Sequence, residues 1–80
     1  MASQVTVRYW AGARRAAGLP SEVLSAGTLA ELLAQLHARP DLSKVVAASS
    51  VLVDETAPSS DEQPLRAGAV VDILPPFAGG

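Results

Sequence analysis

The pattern of apolar residues predicts an α+β domain in which one main helix covers one face of a mixed sheet of four to five strands. Three stretches carry that expectation. Gln4 to Ala11 (Q-V-T-V-R-Y-W-A) alternates, with Val5, Val7 and Tyr9 on one side of an extended chain and Thr6, Arg8 and Trp10 on the other. Leu29, Leu32, Leu33 and Leu36 fall at i, i+3, i+4 and i+7, the single apolar stripe of a helix packed on a core. Ala69 to Leu74 (A-V-V-D-I-L) is nearly all apolar, as suits a central strand with neighbours on both sides. With 80 residues, 49% hydrophobic and 18% charged, the chain has material for one core and one domain. A domain this small hides only roughly 60% of its unfolded surface, which leaves apolar area for docking.

The remaining elements follow in order. Ala11 to Pro20 (A-G-A-R-R-A-A-G-L-P) holds two glycines and a proline and reads as a connection, with a short helical turn over Ala13 to Ala17. Ser21 to Ser25 is a brief strand, most simply the return of an antiparallel hairpin, and Gly27 ends it. Thr28-Leu29-Ala30-Glu31 fits a capping box, in which the threonine hydroxyl accepts from an otherwise unpaired N–H while the glutamate reaches back. The helix stops near Arg39, because Pro40 disfavours helical geometry in the residue before it. Asp41 can cap a further turn through Leu42, Val45 and Val46, leading to a third strand at Val51 to Val53. Asp54 to Pro64 is polar and holds two prolines, so it is loop with room for a short edge strand, and Leu65 is its anchor into the core. Arg66-Ala67-Gly68 is a turn into the last strand.

One helix covers one sheet face and leaves the other bare. If Asp72 points to solvent, Val70 and Leu74 lie on its side, and parity puts Arg8 and Trp10 there too. The expected docking surface is an exposed patch of Trp10, Leu74 and Val70, with Arg8 near Asp72.

Composition narrows the function. Six basic and eight acidic side chains give a net charge of −2, which offers no drive toward nucleic acid or anionic lipid. The absence of cysteine removes disulfides, thiolate metal sites and a cysteine nucleophile. No run approaches the ~18 apolar residues of a membrane span, and the N-terminus lacks a signal-peptide pattern, so the expectation is a soluble, cytoplasmic protein. His37 stands beside the leucine stripe without a partner base or nucleophile and reads as a boundary histidine. Asp54-Glu55 and Asp61-Glu62 read as solvated loop charge, and Arg14-Arg15 as surface charge or a weak contact site. The glycine spacings match no dinucleotide or phosphate loop, so no bound cofactor and no metal are expected.

The C-terminus stands apart. Pro75-Pro76-Phe77-Ala78-Gly79-Gly80 follows the last strand directly. A chain ends in two glycines by chance about one time in two hundred. The prolines stiffen the exit, and six extended residues reach at most roughly 20 Å from the domain. Glycines admit a backbone to a channel that any β-carbon would obstruct, so this end suits delivery of its own carboxylate to another protein's active site. ATP can turn such a carboxylate into an acyl-adenylate open to attack by sulfur or nitrogen. The domain has no machinery for that step, so a partner enzyme must supply it.

Val7 to Gly18 (V-R-Y-W-A-G-A-R-R-A-A-G), Thr28 to Leu33 (T-L-A-E-L-L) and Leu65 to Gly80 (L-R-A-G-A-V-V-D-I-L-P-P-F-A-G-G) resemble the MoaD/ThiS sulfur carriers, and the MoaD branch among them. The resemblance implies a β-grasp, ubiquitin-like domain over residues 1–74 with an extended tail over 75–80. It implies that Gly80 is adenylated by a MoeB-like enzyme using ATP, converted to a thiocarboxylate and inserted into a MoaE-like large subunit of molybdopterin synthase. On that pattern Gly80 bears the sulfur, Gly79 permits threading, and Pro75, Pro76, Phe77 and Ala78 line the entry. Two positions depart from it. Many members have a small or β-branched residue in place of Phe77 and an aromatic in place of Leu74. Thiamin, cysteine and other thio-metabolite carriers, ubiquitin-like modifiers that form isopeptide bonds, and a non-covalent interaction domain remain as alternatives.

Overall fold

The structure is a computed structural model that describes residues 2–76. Four strands and three helices follow in the order β1 (Ser3–Tyr9), α1 (Gly12–Ala17), β2 (Ser21–Ala26), α2 (Leu29–His37), α3 (Pro40–Ala48), β3 (Ser50–Val53) and β4 (Val70–Leu74). The sheet order is β2-β1-β4-β3. β1 pairs antiparallel with β2 and parallel with β4, and β4 pairs antiparallel with β3. The first and last strands are therefore parallel and central, the β-grasp arrangement. Among the described residues no helix is long and apolar enough to cross a membrane.

Strand parity builds the core. Val5, Val7 and Tyr9 of β1 and Val71 and Ile73 of β4 point to one face and are buried there with Leu29, Leu32 and Leu36 of α2 and Leu42 of α3. Leu33, the third residue of the leucine stripe, is half-buried at the margin of this cluster.

α2 starts as its sequence dictates, with one shift. Thr28 Oγ1 accepts from the Glu31 N–H at 3.2 Å, but Glu31 Oε1 accepts from Gly27 N–H at 2.7 Å, one residue before the cap. The 54–64 loop supplies more: Gln63 and Asp61 carbonyls accept from Leu29 and Ala30 N–H at 3.0 and 2.6 Å. A stretch that reads as free polar loop thus satisfies the first turn of the main helix. Leu65, 4% exposed, anchors it as expected.

The further turn at Asp41 is a helix as long as α2. Arg39 is extended (φ −95°, ψ 113°) before Pro40, and proline then opens α3, where its missing N–H costs nothing. Asp41 lies in the first turn but makes no capping bond. The junction is tied to the sheet by polar contacts. Tyr9 Oη and Arg39 Nη1 both donate to Glu22 Oε2 at 2.5 Å, joining β1, β2 and the α2–α3 link. Burial would raise the Glu22 carboxyl, but these hydrogen bonds and the charge of Arg39 outweigh it and hold it below its usual range.

Asp54 and Glu55 form a tight turn with left-handed backbones (φ 50° and 66°), closed by mutual Val53–Thr56 hydrogen bonds. Asp54 is more than solvated charge, since its Oδ1 accepts from the Val70 N–H at 3.0 Å.

The turn into β4 needs its glycine. Gly68 has φ +82°, and no atom lies within 4 Å of where a β-carbon would stand, so substitution there strains backbone without causing a clash. Gly68→Ala is expected to lower unfolding stability by about 1–2 kcal/mol in denaturant titration. Leu36→Ala, which empties a fully buried site, is expected to cost about 2–5 kcal/mol.

Candidate functional site

The parallel register of β1 and β4 determines what stands where the tail leaves. Thr6 lies opposite Val70, Arg8 opposite Asp72 and Tyr9 opposite Ile73, and the ladder continues with Trp10 N–H donating to the Ile73 carbonyl at 3.2 Å. The carboxyl ends of both central strands therefore share one end of the sheet. Pro75 and Pro76 leave from that end, next to Trp10.

On the sheet face without helices, Arg8, Trp10 and Asp72 form one assembly. Arg8 grips the Asp72 carboxylate with two parallel bonds, Nε to Oδ1 at 2.6 Å and Nη2 to Oδ2 at 2.9 Å. Trp10 Nε1 donates to Oδ1 at 2.9 Å, and the guanidinium carbon lies 5.7 Å from the indole centroid. The guanidinium is thus held between a carboxylate and a ring face. The expectation that Asp72 points to solvent is corrected: it faces the predicted side but is only 3% exposed, because Arg8 and Trp10 enclose it. The hydrogen bond from Arg8 is the main cause that holds the Asp72 carboxyl below its usual range, with Trp10 adding to it against the effect of burial. The same pairing raises the Arg8 guanidinium further.

Of the remaining patch residues, Trp10 is 42% exposed, and Val70 and Leu74 are half-buried on the same face. Two contributors escaped the sequence reading. Val23, 60% exposed, lies opposite Thr6, and Leu52 lies opposite Asp72. Parity within S-E-V-L-S and V-L-V would have found both: Leu24 and Val53 face the core, so their neighbours face out.

On the helical side, a groove of about 320 Å³ opens beside the exit, lined by Arg15 of α1, Lys44, Val45 and Ala48 of α3, and Pro75 and Pro76. Phe77, Ala78, Gly79 and Gly80 lie outside the described residues. His37 is exposed, with Nδ1 3.4 Å from Ser43 Oγ. Among the described residues no three histidine, aspartate or glutamate side chains gather as metal ligands.

The Asp72 assembly has a pH signature. A carboxyl depressed by folding contributes stability above its unfolded value, ~3.9, and loses it as pH falls through the lower folded value. Asp72→Asn is expected to be less stable than the parent at pH 7 by about 1–3 kcal/mol. In denaturant titrations repeated below about pH 4 that gap should narrow.

The sequence profile of the ThiS family matches residues 7–80. No curated protein matches the chain in sequence. Among solved structures, a chain of the complex of subunits 1 and 2 of molybdopterin-converting factor from Helicobacter pylori 26695 is similar at TM-score 0.79 and 25% identity, over 96% of this chain and 99% of that one. The putative molybdopterin-converting factor subunit 1 of Pyrococcus furiosus superposes at TM-score 0.82 with 23% identity, over 94% of this chain and 99% of that one. Small archaeal modifier protein 1 of Methanosarcina acetivorans does so at 0.84 with 24% identity, over 100% and 99%. The last two likenesses speak to the fold. With its β-grasp sheet and a family match over nearly its whole length, the chain belongs to the ThiS family of MoaD/ThiS sulfur carriers.

Proposed function

We propose that the protein is a sulfur-carrying small subunit of the molybdopterin synthase type, which transfers sulfur held at its own C-terminus. The observation that carries this reading is the direct run from the central strand β4 through Pro75 and Pro76 to a Gly-Gly end, beside an exposed tryptophan on an uncovered sheet face. In the first step a Gly80 carboxylate oxygen attacks the α-phosphorus of ATP on a MoeB-like activating enzyme, and pyrophosphate leaves. A sulfide equivalent then attacks the acyl carbon and AMP leaves, so that C(O)S⁻ replaces CO₂⁻. In the active site of a MoaE-like large subunit the thiocarboxylate sulfur displaces an oxygen substituent from a carbon of the pterin precursor. Water then cleaves the acyl–sulfur bond of the resulting thioester, leaving the sulfur on the pterin and returning the carboxylate. Gly79 keeps the channel-bound backbone slim, while Pro75, Pro76, Phe77 and Ala78 occupy the entry.

This chain's own part is binding and positioning. Trp10, Leu74, Val70, Leu52 and Val23 offer apolar area, and Asp72 fixes Arg8 and Trp10 before any partner arrives, which reduces the ordering cost of association. The Helicobacter pylori assembly of subunits 1 and 2, in which such a chain meets a second subunit, supports the large-subunit assignment.

Incubation with ATP, the cognate activating enzyme and a sulfur source is expected to give the mass change of one oxygen replaced by sulfur at Gly80. An unchanged mass with the correct partner would overturn the carrier reading, and branched Gly-Gly lysine peptides from cells would move the function to protein modification. Trp10→Ala and Leu74→Ala are each expected to weaken binding to the large subunit by more than ~1 kcal/mol, read by calorimetry with the fold checked by circular dichroism.

A further inference from the structure

The groove on the helical side of the exit shares only Pro75 and Pro76 with the docking just described. Its floor is apolar, from Val45, Ala48, Pro75 and Pro76, and its cations are Arg15 and Lys44. Of the six basic side chains, Arg8, Arg39 and Arg66 are ion-paired within the domain. Arg14, Arg15 and Lys44 have no acidic partner among the described residues, and two of these three line this one groove. In a chain of net charge −2, that concentrates free positive charge beside the tail.

The segment that starts at the groove has the matching order of chemistry. Pro76 lines it, an aromatic residue follows at once, and a carboxylate comes three residues later at Gly80. Four residues reach at most roughly 14 Å. A tethered ligand on so short a link is present at an effective concentration in the millimolar range, so weak contacts suffice to hold it. We propose that, in the carrier without a partner, this groove receives the chain's own Phe77–Gly80, with the Phe77 ring on Val45 and Ala48 and the terminal carboxylate or thiocarboxylate against Arg15 and Lys44. The inference rests on the carrier reading for its purpose, which is to shelter the reactive end from water between loading and delivery. A partner then draws the tail out by offering a better channel.

The test uses the full chain and needs no sulfur chemistry. With methyl-labelled valine, nuclear Overhauser contacts are expected between the Phe77 ring and the Val45 methyls, together with a ring-current shift of those methyls. Both should be lost in Phe77→Ser. Arg15→Glu combined with Lys44→Glu should weaken the contacts, as should salt at 1 M, where screening shortens to about 3 Å. Val45 methyls that are identical in the parent and Phe77→Ser would overturn the proposal. Contacts that appear only between differently labelled molecules would also overturn it, giving the groove to a second copy. Contacts that persist through charge reversal and salt would overturn the role of the two cations. Because the readout is Val45, failure here leaves sulfur transfer standing, and failure to load sulfur leaves a docked tail standing.

Discussion

The molecule depends on one pairing, the parallel ladder between β1 and β4 at the centre of the sheet. Parallel strands cannot be joined by a tight turn, so everything between them is a long crossover that lays α2 and α3 over one face. The same pairing sets Arg8 opposite Asp72 and brings Trp10 to the end where the tail departs. Core and uncovered face are two sides of one register. A slip by one residue would exchange them, sending Arg8 inward and Val7 outward.

Charge is handled in the same economical way. The enclosed Asp72 has three hydrogen bonds from Arg8 and Trp10, and Glu22 has two from Tyr9 and Arg39. No buried side-chain nitrogen or oxygen among the described residues lacks a partner. Breaking either cluster would leave a carboxylate with too little solvation, so both are demanding about the identity of their neighbours. In the proposed docking the Asp72 cluster has a second role, because the groups that satisfy it are those a partner would touch.

Much of this was legible in the residues. Alternation marked β1, the capping box marked the start of α2, Pro40 marked its end, and the apolar run marked β4 as central. Val7 to Gly18, Thr28 to Leu33 and Leu65 to Gly80 together pointed to the family. What stayed hidden depends on long-range contacts. Nothing local in P-D-L-S-K-V-V-A-A distinguishes one turn from a nine-residue helix; packing against α1 and α2 decides it. The polar loop gave no sign that its carbonyls at Asp61 and Gln63 complete the first turn of α2. Asp72 looked solvated because a lone aspartate in a strand usually faces water. Parity already placed Arg8 near it, but its enclosure by Arg8 and Trp10 depends on the register that sets Arg8 directly opposite. Val23 and Leu52 were within reach of parity alone.

β4 runs into Pro75 and Pro76 with no intervening turn. Under the proposed function, a partner drawing the tip into a channel would therefore pull along the strand axis. Against a parallel neighbour on one side and β3 on the other, such a pull loads the rungs in shear, all together instead of one after another as in unzipping. In the proposed cycle, then, a pull on the tip is borne by the two central ladders together, and the body is spared the one-rung-at-a-time opening that a sideways pull would start.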